Sequence, residues 1–368
     1  MIALTRSANG NTLRISNISL SLTQTELSAN SLNDEVQPMS QDILIVGHGL
    51  AGAILAHSLL ERGQNVRVID SCSPHSATQV SAGLMNPFIG PKLNMPTDFD
   101  NCMDANLHFY QMIEKHAEKK FLQSIDLFRI FLSVAQKDRW NALASPYKKK
   151  TMSPSQCSDS GLLATYGAGV TKAWKLDSQG FINFSRKSLS SQNRFQEANF
   201  DPMRWTDHLV IFCEGYRVIK NQWFNMLPFA PAQGDVLSIE SSKGLHASNG
   251  TWHMPDGSKG LAMVGSTWRH EDLESGPSQR ARDEVFKRLQ FIPSLQNASI
   301  NSHLSGVRSG TKDRNPIIGR HPKIKNYYLF NGFGSRGCST IPLAAHEFTN
   351  FITQGIPLPQ HKNLSRFL

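Results

Sequence analysis

The sequence predicts an α/β nucleotide-binding fold interrupted by an α+β insertion, on three observations. A strand, a glycine-rich turn, a helix and a second strand follow one another between Asp42 and Asp70. Two further helical periods lie far apart, over 105–120 and 280–290. Short, often alternating apolar segments occupy the rest, among them 209–213 ahead of Glu214 and Gly215, and 262–267.

At 368 residues and 39% hydrophobic content the chain can bury a large core, which excludes a small scaffold held by disulfides and suggests two domains or one with an elaborate insertion. No uninterrupted apolar run reaches the roughly 18 residues that a membrane-spanning helix needs, so a soluble, cytoplasmic protein is expected. The five cysteines, Cys72, Cys102, Cys157, Cys213 and Cys338, form no C-x-x-C pair. Neither a disulfide framework nor a zinc site is suggested, and each cysteine reads as a small buried hydrophobe in a reducing compartment. The formal charge is +9, and residues 303–368 carry nine Lys or Arg against two acids. Two readings stand: attraction to a polyanion such as RNA, or a solvated surface with a few arginines facing a phosphate-bearing cofactor.

The first 41 residues are rich in Ser, Asn, Thr and Leu with no sustained period, and read as a disordered leader. Two alternatives stay open. Arg6 and Arg14 in a stretch without acids before Glu26 have the flavour of a transit peptide, and Met39 lies three residues before the first strand as a possible start.

From Asp42 the text DILIVGHGLAGAILAHSLLERGQNVRVID passes from an apolar strand through Gly47, Gly49 and Gly52 into an amphipathic helix over 51–62, closed by Gly63, and into a strand ending at Asp70. This is G-x-G-x-x-G in its structural setting, with an acid eighteen residues after the third glycine. The first glycine permits the turn, the second lets backbone approach a pyrophosphate, and the third brings helix to strand. A helix N-terminus then offers free N–H groups to phosphate, and Asp70 would accept hydrogen bonds from a ribose hydroxyl. His48 reads as a loop residue without chemical role. In the helix expected over 105–120, Leu107, Tyr110, Ile113 and Ala117 form the apolar stripe; the helix over 280–290 stops before Pro293.

The loop serves FAD and NAD alike; later motifs separate them. SAGLMNP, from Ser81 to Pro87, resembles the small-residue segment of the D-amino-acid oxidase and glycine oxidase family. GVRSGTKDRNPIIGRHP, from Gly306, resembles that family's late arginine motif, and NGFGSRGCSTIPLAAHEF, from Asn331, its final glycine-rich turn and flavin-facing helix. The Gly-Ser-Arg-Gly wording is nearest to the FAD domain of the bifunctional tRNA 5-methylaminomethyl-2-thiouridine biosynthesis protein, whose methyltransferase domain has no counterpart here. The resemblance covers about residues 42 to 352 and is faint from Leu93 to Leu163.

It implies a Rossmann-like FAD-binding domain, discontinuous over 42–92, 181–230 and 301–352, with an inserted α+β substrate domain over 93–180 and 231–300 built on an antiparallel sheet, and a tail over 353–368. It also implies that Gly47, Gly49, Gly52 and Asp70 hold the ADP half of FAD, that Ser81, Ala82 and Gly83 approach the ring system, that Gly334, Ser335, Arg336 and Gly337 meet its other edge, and that Gly215 joins the cofactor set. Arg308 takes the position of the residue that pairs with a substrate carboxylate, a task for a planar guanidinium fork; an ion pair with Asp313 or another acid is its alternative. Trp252 and Met85 are expected at the substrate. Thr311 and Asp313 shape the turn. With Ser305, Ser309 and Thr311 near the arginine motif and no cysteine nearer than Cys338, FAD is expected to be non-covalent. The implied activity is oxidation of an amino acid or secondary amine by hydride transfer to flavin. Oxidative modification of a tRNA wobble uridine, and a flavin-binding protein without turnover, are the alternatives.

Overall fold

The computed structural model describes residues 42–72, 76–256 and 260–368; the expected leader, with its targeting and Met39 readings, lies outside them. A six-stranded sheet runs in the order Ile317–Arg320, Tyr327–Asn331, Leu209–Phe212, Ile43–Val46, Val66–Asp70, Phe195–Glu197. All neighbours are parallel except the first pair. Parallel strands with both faces covered should be apolar throughout, and Ile43–Val46 is buried at every position. Ile43 and Ile45 enter a core with the helices Leu50–Glu61, Phe99–Glu114, Ser178–Ser191 and Gly337–Gln354. Leu44 and Val46 enter a second core with Phe212, Phe224, Leu329 and Leu364.

In register, Val46 stands beside Ile69 and Phe212, so the loops that follow three parallel strands begin at one edge of this sheet. Open parallel sheets bind ligands at this carboxyl edge. The first helix runs from Leu50 to Glu61, one residue earlier at each end than its sequence pattern indicates, and Gly63 takes the left-handed conformation expected of it.

A second sheet has nine strands. Its order is Ile300–Arg308, Ala232–Glu240, Leu261–Gly265, Trp252–Pro255, His246–Ser248, Leu122–Ile130, Ala168–Leu176 and Leu84–Met85, with Lys148–Met152 also paired to Ala168–Leu176. The expected antiparallel pairing holds except between His246–Ser248 and Leu122–Ile130, which are parallel. One face packs Leu237, Ile239, Ala247 and Val264 against Val285 and Leu289.

Three sequence expectations shift. The helix expected over 105–120 spans Phe99–Glu114, and its buried face includes Phe99, Cys102, Met103, Asn106, Phe109, Tyr110 and Ile113, while Leu107 is exposed. It stops because the Glu114 carboxylate accepts the backbone N–H groups of Phe121 and Leu122, turning the chain into the next strand. Residues 301–308, expected with the FAD-binding part, pair instead along Ala232–Glu240 in the large sheet. The 353–368 tail docks: Ile318 N–H donates to the Lys362 carbonyl, Lys362 pairs with Glu347, and Leu364 is buried.

Candidate active site

The glycine turn has three different physical causes. Gly47 sits at φ +106°, where a Cβ would come within 2.6 Å of the Cys213 carbonyl oxygen. A Cβ on Gly52 would lie 1.9 Å from the Gly47 carbonyl oxygen, so this glycine seats the helix on the strand. Gly49 differs, because a Cβ there meets only Thr78 Oγ1 at 3.5 Å. Protein packing does not demand a glycine at 49, and the position leaves open space beside the turn.

Asp70 staples this turn. Its two carboxylate oxygens accept the backbone N–H groups of His48 and Cys72, and lone pairs remain for a ribose hydroxyl. Thr78 Oγ1 accepts the Leu50 N–H at 3.1 Å. The cap residue of the helix behind, Gly49, has no side chain, and no acid lies in the first turn, so apart from the contact to the Leu50 N–H no side chain caps its positive end among the described residues. His48, read from the sequence as a plain loop residue, is 2% exposed and has its Nε2 2.9 Å from Ser185 Oγ.

The turn opens into a cleft of about 470 Å³ that reaches to the large sheet. Gly47, Gly49, Asp70, Ser81, Ala82, Gly83 and Gly215 line it, as do Gly334, Ser335, Gly337, Trp252 and Arg308. The structure thus gathers residues spread from Gly47 to Gly337 around one volume. Gly83 is held for packing, since at φ +69° its Cβ would stand 1.9 Å from the Leu176 carbonyl oxygen. The helix from Gly337 also begins without a side-chain cap or an acid in its first turn.

Three expected residues fall outside the lining. Gly52 lies behind the turn. Arg336 turns its carbonyl to the hydroxyls of Ser339 and Thr340, serving the helix start. Met85 is 1% exposed and belongs to the apolar core with Phe99 and Trp174, because its two-residue strand pairs with Trp174 and Lys175; the expectation of a substrate contact is corrected.

Arg308 ends the Ile300–Arg308 strand, and its guanidinium lies over Gly234, where a Cβ would come within 2.3 Å of it. It donates to Ser266 Oγ at 2.6 Å and to the Thr267 carbonyl at 3.5 Å, and stacks 4.7 Å from the Trp268 ring centroid. Among the described residues no carboxylate pairs with it; Asp313 pairs with Arg366 instead. Burial lowers its pKa to about 10, and nearby Asp235 works in the other direction, so the group remains a cation at neutral pH. Trp252 stands opposite Gly265 on the neighbouring strand, which brings its ring beside the Ser266 segment.

Sequence reasoning missed Thr78, Arg186, Ser266 and Trp268, all in the lining. Serine, threonine and tryptophan have too many ordinary uses to signal a site without the fold. Gly234 held a usable signal, as a glycine inside a strand marks a close approach.

The uncapped helix starts, the room beside Gly49, the acid at Asp70 and the length of the cleft fit an elongated dinucleotide with a central pyrophosphate. Comparison with known proteins agrees. The family model described as DAO, FAD dependent oxidoreductase, matches residues 42–186 and 186–351. Glycine oxidase of Bacillus subtilis is 28% identical over 158 residues, 40% of this chain and 42% of that protein. The tRNA 5-methylaminomethyl-2-thiouridine biosynthesis bifunctional protein of Haemophilus ducreyi is 21% identical over 392 residues, 88% of this chain and 58% of the relative. The chain spans about half the length of these curated relatives. Among solved structures, iminodiacetate oxidase from Chelativorans sp. BNC1 has a similar fold, with a TM-score of 0.70 at 18% identity, covering 86% of this chain and 97% of that one. No helix among the described residues is long and apolar enough to cross a membrane.

Proposed function

This chain belongs to the FAD dependent oxidoreductase family, and from that premise we propose that it oxidises the C–N bond of an amino acid or N-substituted amino acid whose carboxylate is held by Arg308. The protein is an FAD-dependent oxidoreductase, and FAD is its cofactor. Bound FAD would supply a two-electron acceptor for a hydride from the carbon next to nitrogen, the nitrogen giving up a proton to water, and an external acceptor such as oxygen would reoxidise it.

The observation that carries the reading is a half-buried guanidinium in the cleft without a carboxylate partner among the described residues. Leaving a cation so placed is costly, and a substrate carboxylate would satisfy both arms of its fork. Ser266 Oγ and the Thr267 carbonyl fix its plane, while Gly234 gives it room. Trp252, which lines the cleft beside Gly265, would supply an apolar wall there. None of the groups touching Arg308 is an acid or base, so the chain relies on orientation and electrostatics, and the amine must arrive neutral. Gly47, Gly49 and Asp70 would hold the ADP half of FAD. The uncapped start of the Gly337–Gln354 helix would stabilise negative charge on the reduced ring.

Replacing Arg308 with Ala should raise KM for amino-acid substrates on the order of 100-fold or more while kcat changes less, because a charge-assisted bidentate pair is worth several kcal/mol. A KM unchanged in steady-state assays would remove Arg308 from this role.

A second reading is favoured by the alignment with the tRNA biosynthesis protein, which spans 88% of this chain. In it the oxidised amine is a carboxymethylamino group on a tRNA wobble uridine. Arg308 keeps its role, and binding falls steeply with salt because phosphates contribute.

A further inference from the structure

We infer that Trp268 is a stacking platform at the mouth of the cleft, and that the substrate carries a planar π group on its amine side, beyond the carboxylate-bearing carbon. The inference rests on the Arg308 reading above and names the rest of the molecule that Arg308 anchors.

Trp268 follows the Leu261–Gly265 strand and lines the cleft, yet it is 54% exposed. A side chain that large and apolar usually gains by burial, so its position needs a reason. Its orientation is fixed from two directions. The indole Nε1–H donates to His270 Nε2 at 2.8 Å, and His270 Nδ1 lies 3.0 Å from the Pro231 carbonyl, which holds that imidazole in turn. The Arg308 guanidinium stacks on the ring at 4.7 Å from its centroid. The backbone on either side is also anchored, since Thr267 Oγ1 accepts the Asp235 N–H and the Arg269 N–H donates to the Gln233 carbonyl.

These contacts engage one face and one edge of the indole and leave more than half its surface open. A pinned aromatic with an open face has already lost the rotamer freedom that ligand binding would otherwise cost. Arg308 and Trp268 are in contact, so a ligand whose carboxylate meets the guanidinium starts beside the indole and reaches its open face through a spacer of a few atoms around the ring edge. A free amino acid as small as glycine leaves that surface unused, whereas a ring attached through the nitrogen reaches it. Both an aromatic carbocycle and a nucleobase present such a face.

The test uses the FAD-loaded protein and ligands without an oxidisable amine. N-acetylglycine, N-benzoylglycine and N-orotylglycine, which carries a uracil ring, are titrated by calorimetry. The two ring-bearing ligands should bind about tenfold more tightly than N-acetylglycine. In Trp268→Ala the preference should fall to within about twofold, and Trp268→Phe should restore part of it, with flavin content confirming intact protein. The tighter of the two ring ligands identifies carbocycle or nucleobase. A ring preference that is absent from the wild type, or that survives in Trp268→Ala, overturns the platform. Arg308→Lys separates the two claims: it should weaken all three ligands alike, and if it leaves N-acetylglycine unaffected, the carboxylate reading fails whatever Trp268 does.

Discussion

Two imidazoles share one hydroxyl beneath the nucleotide turn: His48 Nε2 and His57 Nε2 lie 2.9 and 3.0 Å from Ser185 Oγ. Burial lowers both pKa values from 6.5 to about 4; for His48 the pull of Asp70 is too weak to offset it. A folded pKa below the unfolded one means the unfolded chain binds more protons between these values. The stabilisation is therefore complete above pH 6.5 and is lost as pH falls towards 4. By pH 5 each histidine should cost on the order of 2 kcal/mol. Thermal melts from pH 7.5 to 5 should show a steep fall in Tm, and His57→Gln should flatten it. A Tm insensitive to pH across this window would contradict the assignment. Nothing in the sequence around His48 announced this role, because its partners come from a helix 130 residues away. Arg308, by contrast, was singled out by the motif around it and does line the cleft, while Met85 is buried in the apolar core because the sequence alone does not say which face of a short strand a side chain takes.

The strand, turn and helix from Ile43 to Glu61 were legible because each part has a local cause: an apolar run, glycines at fixed spacing and a C-terminal glycine. The helix from Phe99 was legible as a helix but not in its limits, since Met103 and Phe99 extend the apolar stripe about two turns earlier and a side chain, Glu114, ends it. The glycine turn permits a test at this scale. Gly49→Ala should leave the stability of the apoprotein within about 0.5 kcal/mol of wild type while weakening FAD binding, since its Cβ meets only Thr78. Gly52→Ala should instead lower apoprotein stability by about 1–3 kcal/mol, because the new methyl strikes backbone. Denaturant melts of flavin-free protein, paired with FAD titrations, distinguish them; equal effects on both quantities would refute the separation of packing from ligand space.

Across the whole molecule, the nucleotide sheet and the large sheet draw on interleaved stretches of chain, and the cleft forms where the loops after Val46, Asp70 and Phe212 face the strand that ends at Arg308. An α/β fold with an α+β insertion could be read from the order of apolar periods. The pairing order of the nine strands could not, because those contacts are non-local and a strand's pattern names its buried face rather than its neighbour. Residues 300–308 illustrate this, pairing along Ala232–Glu240 in the large sheet. The account's central claim is that this cleft holds FAD and brings it an amine anchored by a carboxylate. The most direct measurement is the visible spectrum of the purified protein during anaerobic addition of amino acids, N-substituted glycines and modified tRNA. The account predicts a yellow protein whose flavin is released by acid, whose absorbance is bleached by at least one carboxylate-bearing amine, and whose Arg308→Ala variant bleaches only at far higher concentration. A colourless protein that cannot be reconstituted with FAD, or bound flavin that no member of the panel reduces, would contradict it.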